Sequence, residues 1–372
     1  MPSKAYRVLG LLSGSSLDGT DVAICKFVID RDWPGLVREW HIAEAATIPY
    51  PDEWITRLKS LPSSTSRDLV IADTELGHYY GIISRDFIQR HGLPIDLIAS
   101  HGHTIFHFPE LKTTTQIGDG AAITAETGID SVTQLRGMDV AFGAQGAPLA
   151  PLGDKYLYPG YSFYLNLGGI ANLTTSVEGA YLAFDICPCN QILNALAGEA
   201  GLTYDHDGGL AASGKLIPDL LQLYQSDPYL TRSYPKSLDN TWVVENHVNP
   251  SLGFNAPTAD KLHTAVEFIA LEIAKACALF PLPPNAGRPS MFVTGGGALN
   301  HYLVTRIQAL AGELEVVLPS RTIIEFKEVS FIALAGLFRG LRIPNLFASV
   351  TGAPGDTING ALYTNQTTSP WS

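Results

Sequence analysis

The feature that most constrains the fold of this chain is a supersecondary pattern that occurs twice. A short apolar strand, a glycine turn and a second apolar strand are predicted at Arg7–Phe27, around Gly14, and again at Tyr161–Thr175, around Gly168. Other strands alternate with long helical patterns such as Ala259–Leu279. A repeat of this kind predicts an α/β protein with mixed sheets and two similar domains, in which ligands bind at the carboxyl ends of strands.

The composition fits two folded domains and excludes several classes of protein. The chain has 372 residues, of which 46% are hydrophobic and only 16% are charged. A disordered chain or a coiled coil needs many more charges, so both are excluded. The formal net charge of −12 opposes binding to nucleic acid. We expect no membrane segment and a reducing cytoplasmic location, since the apolar runs are short and the four cysteines, Cys25, Cys187, Cys189 and Cys277, are scattered.

The densest candidate site is the first glycine turn. It comprises Gly14, Ser15, Ser16, Leu17, Asp18, Gly19, Thr20 and Asp21. The glycines allow the backbone to approach a ligand and to turn its N–H groups inward, and the serine hydroxyls add donors. A carboxylate of Asp18 or Asp21 could hold Mg²⁺. The same residue types also form ordinary hairpin turns, so this turn alone fits either interpretation.

Two further glycine turns follow predicted strands. The residues concerned are Gly168, Gly169 and Asn172 in the second turn and Gly295, Gly296, Gly297 and Asn300 in the third. Because backbone N–H groups at turns and helix N-termini bind anions, three such turns fit a nucleotide held between two domains. A Walker A loop is excluded at Gly209–Lys215, because Leu216 stands where Ser or Thr must bind Mg²⁺.

A histidine-rich segment follows the predicted strand Ile95–Ala99. His101, His103 and His107 lie within it. An H-x-H pair after a strand can bind a metal, and a metal-dependent hydrolase is one interpretation, although a complete ligand set is not evident. The alternative is that these histidines face a substrate or cap a loop.

One carboxylate stands out as a candidate general base. Asp185 ends the predicted strand Tyr181–Phe184 and precedes Cys187-Pro188. A carboxylate at a strand end that faces a cleft is well placed to accept a proton. An Asp at this point could instead cap the helix predicted to begin near Asn190.

Taken together and in this order, these segments resemble the anhydro-N-acetylmuramic acid kinase family over nearly the whole chain. The matching segments are Leu11–Asp21, Ser100–Thr104, Gln116–Gly120, Gly143–Leu149, Asn166–Thr174, Phe184-Asp185, Tyr204–Gly208, Pro235–Ser237, Thr294–Asn300 and Val350–Ala353. The resemblance implies two actin-like (ribonuclease-H-like) domains around a central cleft. It places domain I at residues 1–135 with 351–372 and domain II at residues 136–350, and it suggests a homodimer.

The resemblance also implies a reaction and a set of residue roles. The family uses ATP and Mg²⁺ to open the 1,6-anhydro ring of its sugar and to phosphorylate the 6-oxygen in cell-wall recycling. By resemblance, Asp185 activates the attacking water, and the three glycine turns contact ATP, with Asp18 near its Mg²⁺. The residues expected to line the sugar site are His101, Gly102, His103, Thr104, Gln145, Gly146 and Pro148.

Two departures from the family pattern leave the exact substrate open. Ile186, Cys187 and Cys189 replace a hydroxyl residue and two glycines after Asp185, and His103 replaces a glutamine. Cβ atoms therefore stand where the backbone would approach a ligand or take a positive φ. A paralogue acting on another anhydrosugar or amino sugar, or a weakly catalytic ATP- or sugar-binding protein, remains an alternative.

Overall fold

The computed structural model of the protein describes residues 3–14, 17–32, 35–234, 236–280 and 289–365. They form two units. Unit 1 is Met1–Pro159 with Phe326–Ser372, and unit 2 is Gly160–Glu325. Ser15 and Ser16, which were predicted to contact a ligand, lie outside the described residues.

The strands lie in both parts of the sequence, as the predicted repeat requires. In chain order they are β1 (Lys4–Ser13), β2 (Gly19–Ile29), β3 (Val37–Pro49), β4 (Leu97–Ser100), β5 (His103–Phe108), β6 (Thr113–Ile117), β7 (Ser131–Thr133), β8 (Phe163–Leu167), β9 (Ile170–Val177), β10 (Ala180–Pro188), β11 (Ser290–Thr294), β12 (Glu315–Val317) and β13 (Ala361–Tyr363).

Helices separate most of these strands. They are α1 (Asp52–Ser60), α2 (Ser66–His91), α3 (Gly120–Thr127), α4 (Gly137–Ala141), α5 (Ala150–Tyr156), α6 (Asn190–Glu199), α7 (Gly209–Ser213), α8 (Pro218–Gln225), α9 (Asn240–Val243), α10 (Asn249–Gly253), α11 (Thr258–Ala278), α12 (His301–Leu310), α13 (Arg321–Gly340) and α14 (Ala348–Thr351). No helix in the described ranges is both long and apolar enough to cross a membrane.

Both units contain the same sheet. The strand order is β3-β2-β1-β4-β7 in unit 1, extended by β13, and β10-β9-β8-β11-β12 in unit 2. In each sheet the first three strands are antiparallel neighbours and the next two run parallel to the central strand. This confirms the predicted mixed α/β class and the ribonuclease-H-like repeat.

Helix α2 illustrates how local sequence sets an element. The hydroxyl of Thr65 accepts a hydrogen bond from the N–H of Asp68 (3.1 Å), which caps the first turn. Gly92, with a φ of 63°, ends the helix in the left-handed conformation. Leu76 and Tyr80 lie one turn apart and are buried against the unit 1 sheet. The helical spacing of apolar residues from Leu69 to His91 predicts this helix, and the structure confirms it.

Helix α13 explains why the units divide elsewhere than the sequence indicated. The divisions lie at 159/160 and 325/326, whereas 135/136 and 350/351 were predicted. A Cβ on Gly10 of β1 would meet Val329 of α13, and a Cβ on Gly336 would meet Ala99 of β4. These close contacts require α13 to pack on the unit 1 sheet, so most of this helix belongs to unit 1.

Two segments differ from the predicted secondary structure. Strand β3 was not predicted, because its sequence lacks a long apolar run. His103 and Thr104 lie in strand β5, which pairs with β6, and not in a loop after β4. Within this hairpin the polar side chains of one strand bond those of the other, as Gln116 Nε2 does to Thr104 Oγ1 (3.4 Å).

Candidate active site

A row of polar side chains crosses the sheet of unit 2 near the carboxyl end of its central strand. Asp185 on β10 lies opposite Asn172 on β9, Asn172 lies opposite Asn166 on β8, and Asn166 lies opposite Thr294 on β11. Residues that pair directly across strands share a face, so the four side chains form one row. The row brings predicted Asn172 next to predicted Asp185, while Asn166 and Thr294 were not expected to take part.

The carboxylate of Asp185 is held on one oxygen. The N–H of Leu238 donates to Oδ2 at 2.8 Å, and no other described residue bonds this carboxylate. Burial raises the pKa of Asp185, and the Leu238 N–H opposes that rise. The group is therefore a stronger base than an ordinary Asp, with Oδ1 left for a further partner. Asp185 lies inside β10, which extends to Pro188, so the prediction that it ends its strand is wrong.

The second and third glycine turns come together beside this row. The carbonyl oxygen of Gly168 accepts the N–H of Asn190, the first residue of α6, at 3.1 Å. The carbonyl oxygen of Gly169 accepts the N–H of Cys189, the residue before it, at 2.9 Å. Gly295 has a φ of 82°, and a Cβ there would lie 2.6 Å from Asn166 Oδ1. Gly297 is similarly close to Leu167. The two turns therefore meet at the end of β8, as expected if both contact one ligand.

The residues that depart from the family pattern after Asp185 are packed into the core of unit 2. Ile186, Cys187 and Cys189 are all buried in its apolar cluster, and none of them has a positive φ. A β-bulge between Asp185 and Cys187 turns both Ile186 and Cys187 into the core. Burial raises the pKa of Cys189 to about 12, and burial also raises the pKa of Cys187 well above its ordinary value. These positions therefore line the core and not a ligand surface.

A cavity of about 550 Å³ lies within unit 2. Its lining includes the predicted residues Gly296, Gly297 and Asn300. It also includes residues of two matching segments to which no role was assigned, namely Tyr204, Asp205, His206, Asp207 and Leu299. The remaining lining residues, Asn190, Leu193, Asn194 and Arg321, were not singled out from the sequence. This volume is in the range of pockets for small ligands and cofactors. The lining side chains include two aromatic rings, a guanidinium and two carboxylates.

The loop before α7 is rigidly built. The carboxylate of Asp205 accepts the N–H groups of Leu210 and Ala211 at 2.9 Å each, which caps α7. A Cβ on Gly208 would overlap the side chain of Asn300. Asn300 itself caps α12, because its Oδ1 accepts the N–H of Leu303 (3.0 Å). Asn300 therefore contacts both the loop at Gly208 and the start of α12, which line the cavity. An Asn directly before a predicted helix is a sequence signal for such a capping role.

The first glycine turn lies in unit 1 between β1 and β2. Leu17 has a φ of 58° and its side chain is buried in the unit 1 core, so it can meet a ligand only through its backbone. Asp18 is exposed. Thr20 and Asp21 belong to β2; Thr20 is fully buried, and Asp21 accepts a hydrogen bond from Thr47 (2.6 Å).

The histidines expected to line the sugar site also lie in unit 1. His101 is buried, and burial together with the Arg136 charge lowers its pKa to about 3. His103 is buried as well, and its Nδ1 lies 3.0 Å from the hydroxyl of Ser13. Gly102 between them has a φ of 72°, which L side chains rarely adopt. Both imidazoles are neutral at physiological pH, because burial lowers the pKa of each.

Arg136, whose charge acts on His101, and its neighbour Glu328 were not predicted from the sequence. Burial lowers the pKa of the Arg136 guanidinium to about 10, and the nearby carboxylate of Glu328 opposes this. Burial raises the pKa of Glu328. The Nε of Arg136 is buried and makes no hydrogen bond within the described ranges. A desolvated arginine with spare donor capacity is suited to an anionic group of a ligand.

The remaining predicted sugar residues are fixed by a buried carboxylate, Asp139. Its Oδ2 accepts the N–H of Gly146 (2.8 Å), and its Oδ1 accepts the hydroxyls of Thr351 and Thr357 (3.0 Å each). The N–H of Gln145 donates to the carbonyl of Thr351 (2.9 Å). Pro148 is half-buried in the same segment. The Gly143–Leu149 motif is thus tied to the Val350–Ala353 motif.

The described residues contain no group of three or more His, Cys, Asp and Glu that could hold a metal ion. The Nδ1 atoms of His101, His103 and His107 face Gly102 O, Ser13 Oγ and Thr114 Oγ1 respectively. The described residues therefore offer no ligand set for the metal-dependent hydrolase interpretation.

Comparison with known proteins agrees with the motif order. The family model "Anhydro-N-acetylmuramic acid kinase" matches residues 6–365. A protein of that name from Paramagnetospirillum magneticum is 34% identical over 95% of this chain and 98% of its own length. Its namesake from Shewanella loihica is 32% identical over 97% and 99%.

Two solved structures are distant matches. An activator of 2-hydroxyisocaproyl-CoA dehydratase from Clostridium difficile has a TM-score of 0.41 at 14% identity, covering 89% of this chain and 94% of that one. A hexokinase from Schistosoma mansoni has a TM-score of 0.35 at 13% identity, covering 89% and 85%. The full-length family match does not depend on these structures. The chain belongs to the anhydro-N-acetylmuramic acid kinase family.

Proposed function

We propose that this protein is an ATP-dependent kinase that opens the 1,6-anhydro ring of anhydro-N-acetylmuramic acid and phosphorylates its 6-oxygen. The product is N-acetylmuramic acid 6-phosphate, and the role is cell-wall recycling. The observation that carries this proposal is the Asp185 carboxylate, which stands with one oxygen available in a row of polar side chains beside two glycine turns.

In this reaction Asp185 acts as the general base. Its carboxylate takes a proton from a water molecule, whose oxygen forms a bond to the anomeric carbon. The bond between that carbon and the 6-oxygen breaks, and its electron pair stays on the 6-oxygen. That oxygen attacks the γ-phosphorus of ATP, and the bond from the γ-phosphorus to the bridging oxygen breaks to release ADP. A base with a raised pKa suits the first step, because it accepts the proton more readily than an ordinary Asp.

The cavity of unit 2 is the proposed site of the adenosine. Its volume and its mixture of aromatic, cationic and carboxylate groups support this placement. Gly168, Gly169 and Gly295–Gly297 would meet the phosphates through backbone N–H groups. Mg²⁺ would bind mainly through the ATP phosphates, and the exposed Asp18 is the proposed carboxylate partner of the ion. When bound, the ion neutralises phosphate charge.

The charges in unit 1 favour a muramic acid derivative over a neutral anhydrosugar. N-acetylmuramic acid carries a carboxylate on its lactyl ether. Arg136 offers a buried guanidinium with spare donors, and the neutral His101 and His103 can donate or accept hydrogen bonds to hydroxyl and amide groups. This complementarity supports anhydro-N-acetylmuramic acid over the alternative substrates.

The test is ADP release coupled to a spectrophotometric readout, with anhydro-N-acetylmuramic acid as the sugar. We expect sugar-dependent ADP release and formation of a 6-phosphate. Asp185→Asn should lower turnover by roughly 10²–10⁴-fold with little change in ATP affinity. Asp219→Asn, on the exposed first turn of α8, is the matched control and should leave turnover unchanged.

Absence of sugar-dependent ADP release with ATP binding intact would remove the substrate assignment. The corresponding anhydro-N-acetylglucosamine, which lacks the lactyl carboxylate, should be a poor substrate.

We also propose a cytoplasmic location and a homodimer. The four cysteines are all free and buried, which supports a reducing compartment.

A further inference from the structure

The Pro235–Ser237 motif and Tyr229 have no role in the reaction described so far, yet both contact Asp185. We propose that Tyr229 and Lys236 are positioning residues that hold the backbone and carboxylate of Asp185 in the orientation needed to meet the attacking water. This inference rests on the proposed function, in which Asp185 is the base. Pro235 lies outside the described residues, so the argument uses Lys236 and Leu238.

Asp185 is fixed by three hydrogen bonds from outside the sheet. Its N–H donates to the carbonyl of Lys236 (3.0 Å), and its carbonyl accepts the hydroxyl of Tyr229 (2.8 Å). Its Oδ2 accepts the N–H of Leu238 (2.8 Å). The segment 236–238 therefore makes hydrogen bonds to both the main chain and the side chain of Asp185.

The sheet alone does not set the orientation of Asp185. The pairing of β10 with β9 shifts by one residue between Asp185 and Cys187, where a β-bulge interrupts the regular ladder. Bulges re-aim side chains and leave local hydrogen-bonding groups without ladder partners. The Tyr229 hydroxyl and the segment 236–238 supply partners at this break.

Lys236 connects this segment to Tyr229. Its Nζ donates to the carbonyl oxygens of Tyr229 (3.3 Å) and Leu230 (3.0 Å), and it lies 4.6 Å from the centre of the Tyr229 ring. A cation over an aromatic ring is stabilised by the ring quadrupole. The Lys236 side chain therefore links the segment 236–238, which bonds the Asp185 carboxylate, to Tyr229, which bonds the Asp185 carbonyl.

Tyr229 has a rigid anchor of its own. Its side chain is buried, and its N–H donates to Asp227 Oδ1 (2.8 Å). The other oxygen, Oδ2, accepts the indole N–H of Trp242 (3.2 Å) and lies 2.6 Å from His247 Nε2. A buried, fully used carboxylate of this kind holds one geometry.

The same arrangement affects the proton affinity of Asp185. The Leu238 N–H lowers the pKa of Asp185 against the effect of burial. The titratable neighbours of this assembly are Tyr229 and Cys187, and burial raises the pKa of each so that both stay neutral. The charged groups further out are Asp227, Arg232, Lys236 and Glu272. If the segment loosens, the Leu238 bond weakens and the pKa of Asp185 rises.

The experiment measures kcat, KM for ATP and the pH profile of kcat for Tyr229→Phe and Lys236→Met. We expect kcat to fall about 10-fold in each, since a lost buried hydrogen bond or a small displacement of a base costs roughly this much or more. KM for ATP should not change. A base works only when ionised, so the acid limb of the profile should move to higher pH in Lys236→Met. Lys236→Arg, which keeps the cation, should restore part of kcat.

Matched controls separate positioning from general loss of structure. Tyr224→Phe removes a hydroxyl that is equally buried in unit 2 and bonds Ser251 (2.7 Å). Lys275→Met removes the ion pair with Glu272. Neither should change kcat or the acid limb. The pH titration of the Asp185 carboxyl carbon by NMR, assigned with Asp185→Asn, gives a readout without turnover and should show a higher pKa in Lys236→Met.

The outcomes are distinguishable. If Asp185→Asn is inactive while Tyr229→Phe and Lys236→Met keep wild-type kcat, acid limb and carboxyl titration, positioning is refuted and the proposed base stands. If Asp185→Asn turns over normally, the base itself is wrong. If Lys236→Met fails to fold, Tyr229→Phe decides, because it removes a single oxygen; wild-type kcat in that variant overturns the proposal.

Discussion

Gly295 offers a quantitative test of how the third glycine turn is built. Its backbone has a φ of 82° and a ψ of 166°, a region that residues with a Cβ rarely occupy. A Cβ at this position would also lie 2.6 Å from Asn166 Oδ1 and 2.8 Å from the backbone of Leu167. Gly295→Ala therefore incurs two separate costs.

The magnitude follows from adding these costs. Holding Ala in such a conformation costs about 1–3 kcal/mol. Overpacking against β8, where the neighbour is backbone and cannot rotate away, adds about 1–3 kcal/mol. We expect Gly295→Ala to lose about 2–6 kcal/mol in free energy of unfolding. If the turn shifts to relieve the overlap, the affinity for ADP should fall by about 10-fold or more, since about 1.4 kcal/mol is tenfold in affinity.

Gly312→Ala is the matched control. Gly312 also has a positive φ, 64°, but no atom lies within 4 Å of its ideal Cβ. Gly312→Ala should lower the free energy of unfolding by the conformational cost alone, about 1–2 kcal/mol, and should leave ADP affinity unchanged. Urea unfolding followed by circular dichroism and isothermal titration with ADP measure both quantities. Equal stability and equal ADP affinity in the two variants would refute the close packing of this turn on β8.

Three further predictions concern stability, pH and thiol chemistry. Lys327→Met leaves the buried Asp154, 2.9 Å from Lys327 Nζ, without its cation and should cost about 3–5 kcal/mol in urea unfolding. Arg321→Met, which breaks the exposed pair with Glu325, should cost less than about 1 kcal/mol; similar losses in both variants would contradict the burial argument. Turnover should fall on the acid side through a pKa above the ordinary Asp value of about 3.9, because burial raises that of Asp185, and a midpoint at or below that value would count against this base. A thiol reagent at pH 8 should modify Cys187 and Cys189 only after unfolding, since burial raises the pKa of both, and rapid labelling of native enzyme would place them at a surface instead.

The sequence predicted the repeated architecture because glycine turns and apolar strands are local signals. The turns at Gly14 and Gly168 stand between paired antiparallel strands as expected. Strand β3 was missed, because its centre, Ala43–Ala46, consists of Ala and Glu, which are depleted in strands. The path of α13 was also missed, since its packing on β1 and β4 depends on contacts between residues far apart in sequence, such as Gly336 with Ala99.

Only the parts of the candidate site that have a local sequence signature were predictable. The three glycine turns and Asp185 carry local signatures. By contrast, Arg136 and Glu328 lie in segments with no motif of their own and gain significance from burial, which one sequence cannot show. The effect of Ile186 and Cys187 was also hidden, because it depends on a β-bulge that turns both side chains into the core.

The path of the chain through the two units has a consequence for synthesis. Unit 2 is a continuous stretch, Gly160–Glu325, whereas unit 1 needs Phe326 onward, including α13 and β13, to cover and extend its sheet. During translation at about 5–20 residues per second, the first unit to begin is therefore the last that can be completed. The early strands β1–β4 emerge with one face uncovered and must wait for α13. A ribosome-bound chain ending before Phe326 should contain a protease-resistant unit 2 and a protease-sensitive N-terminal segment.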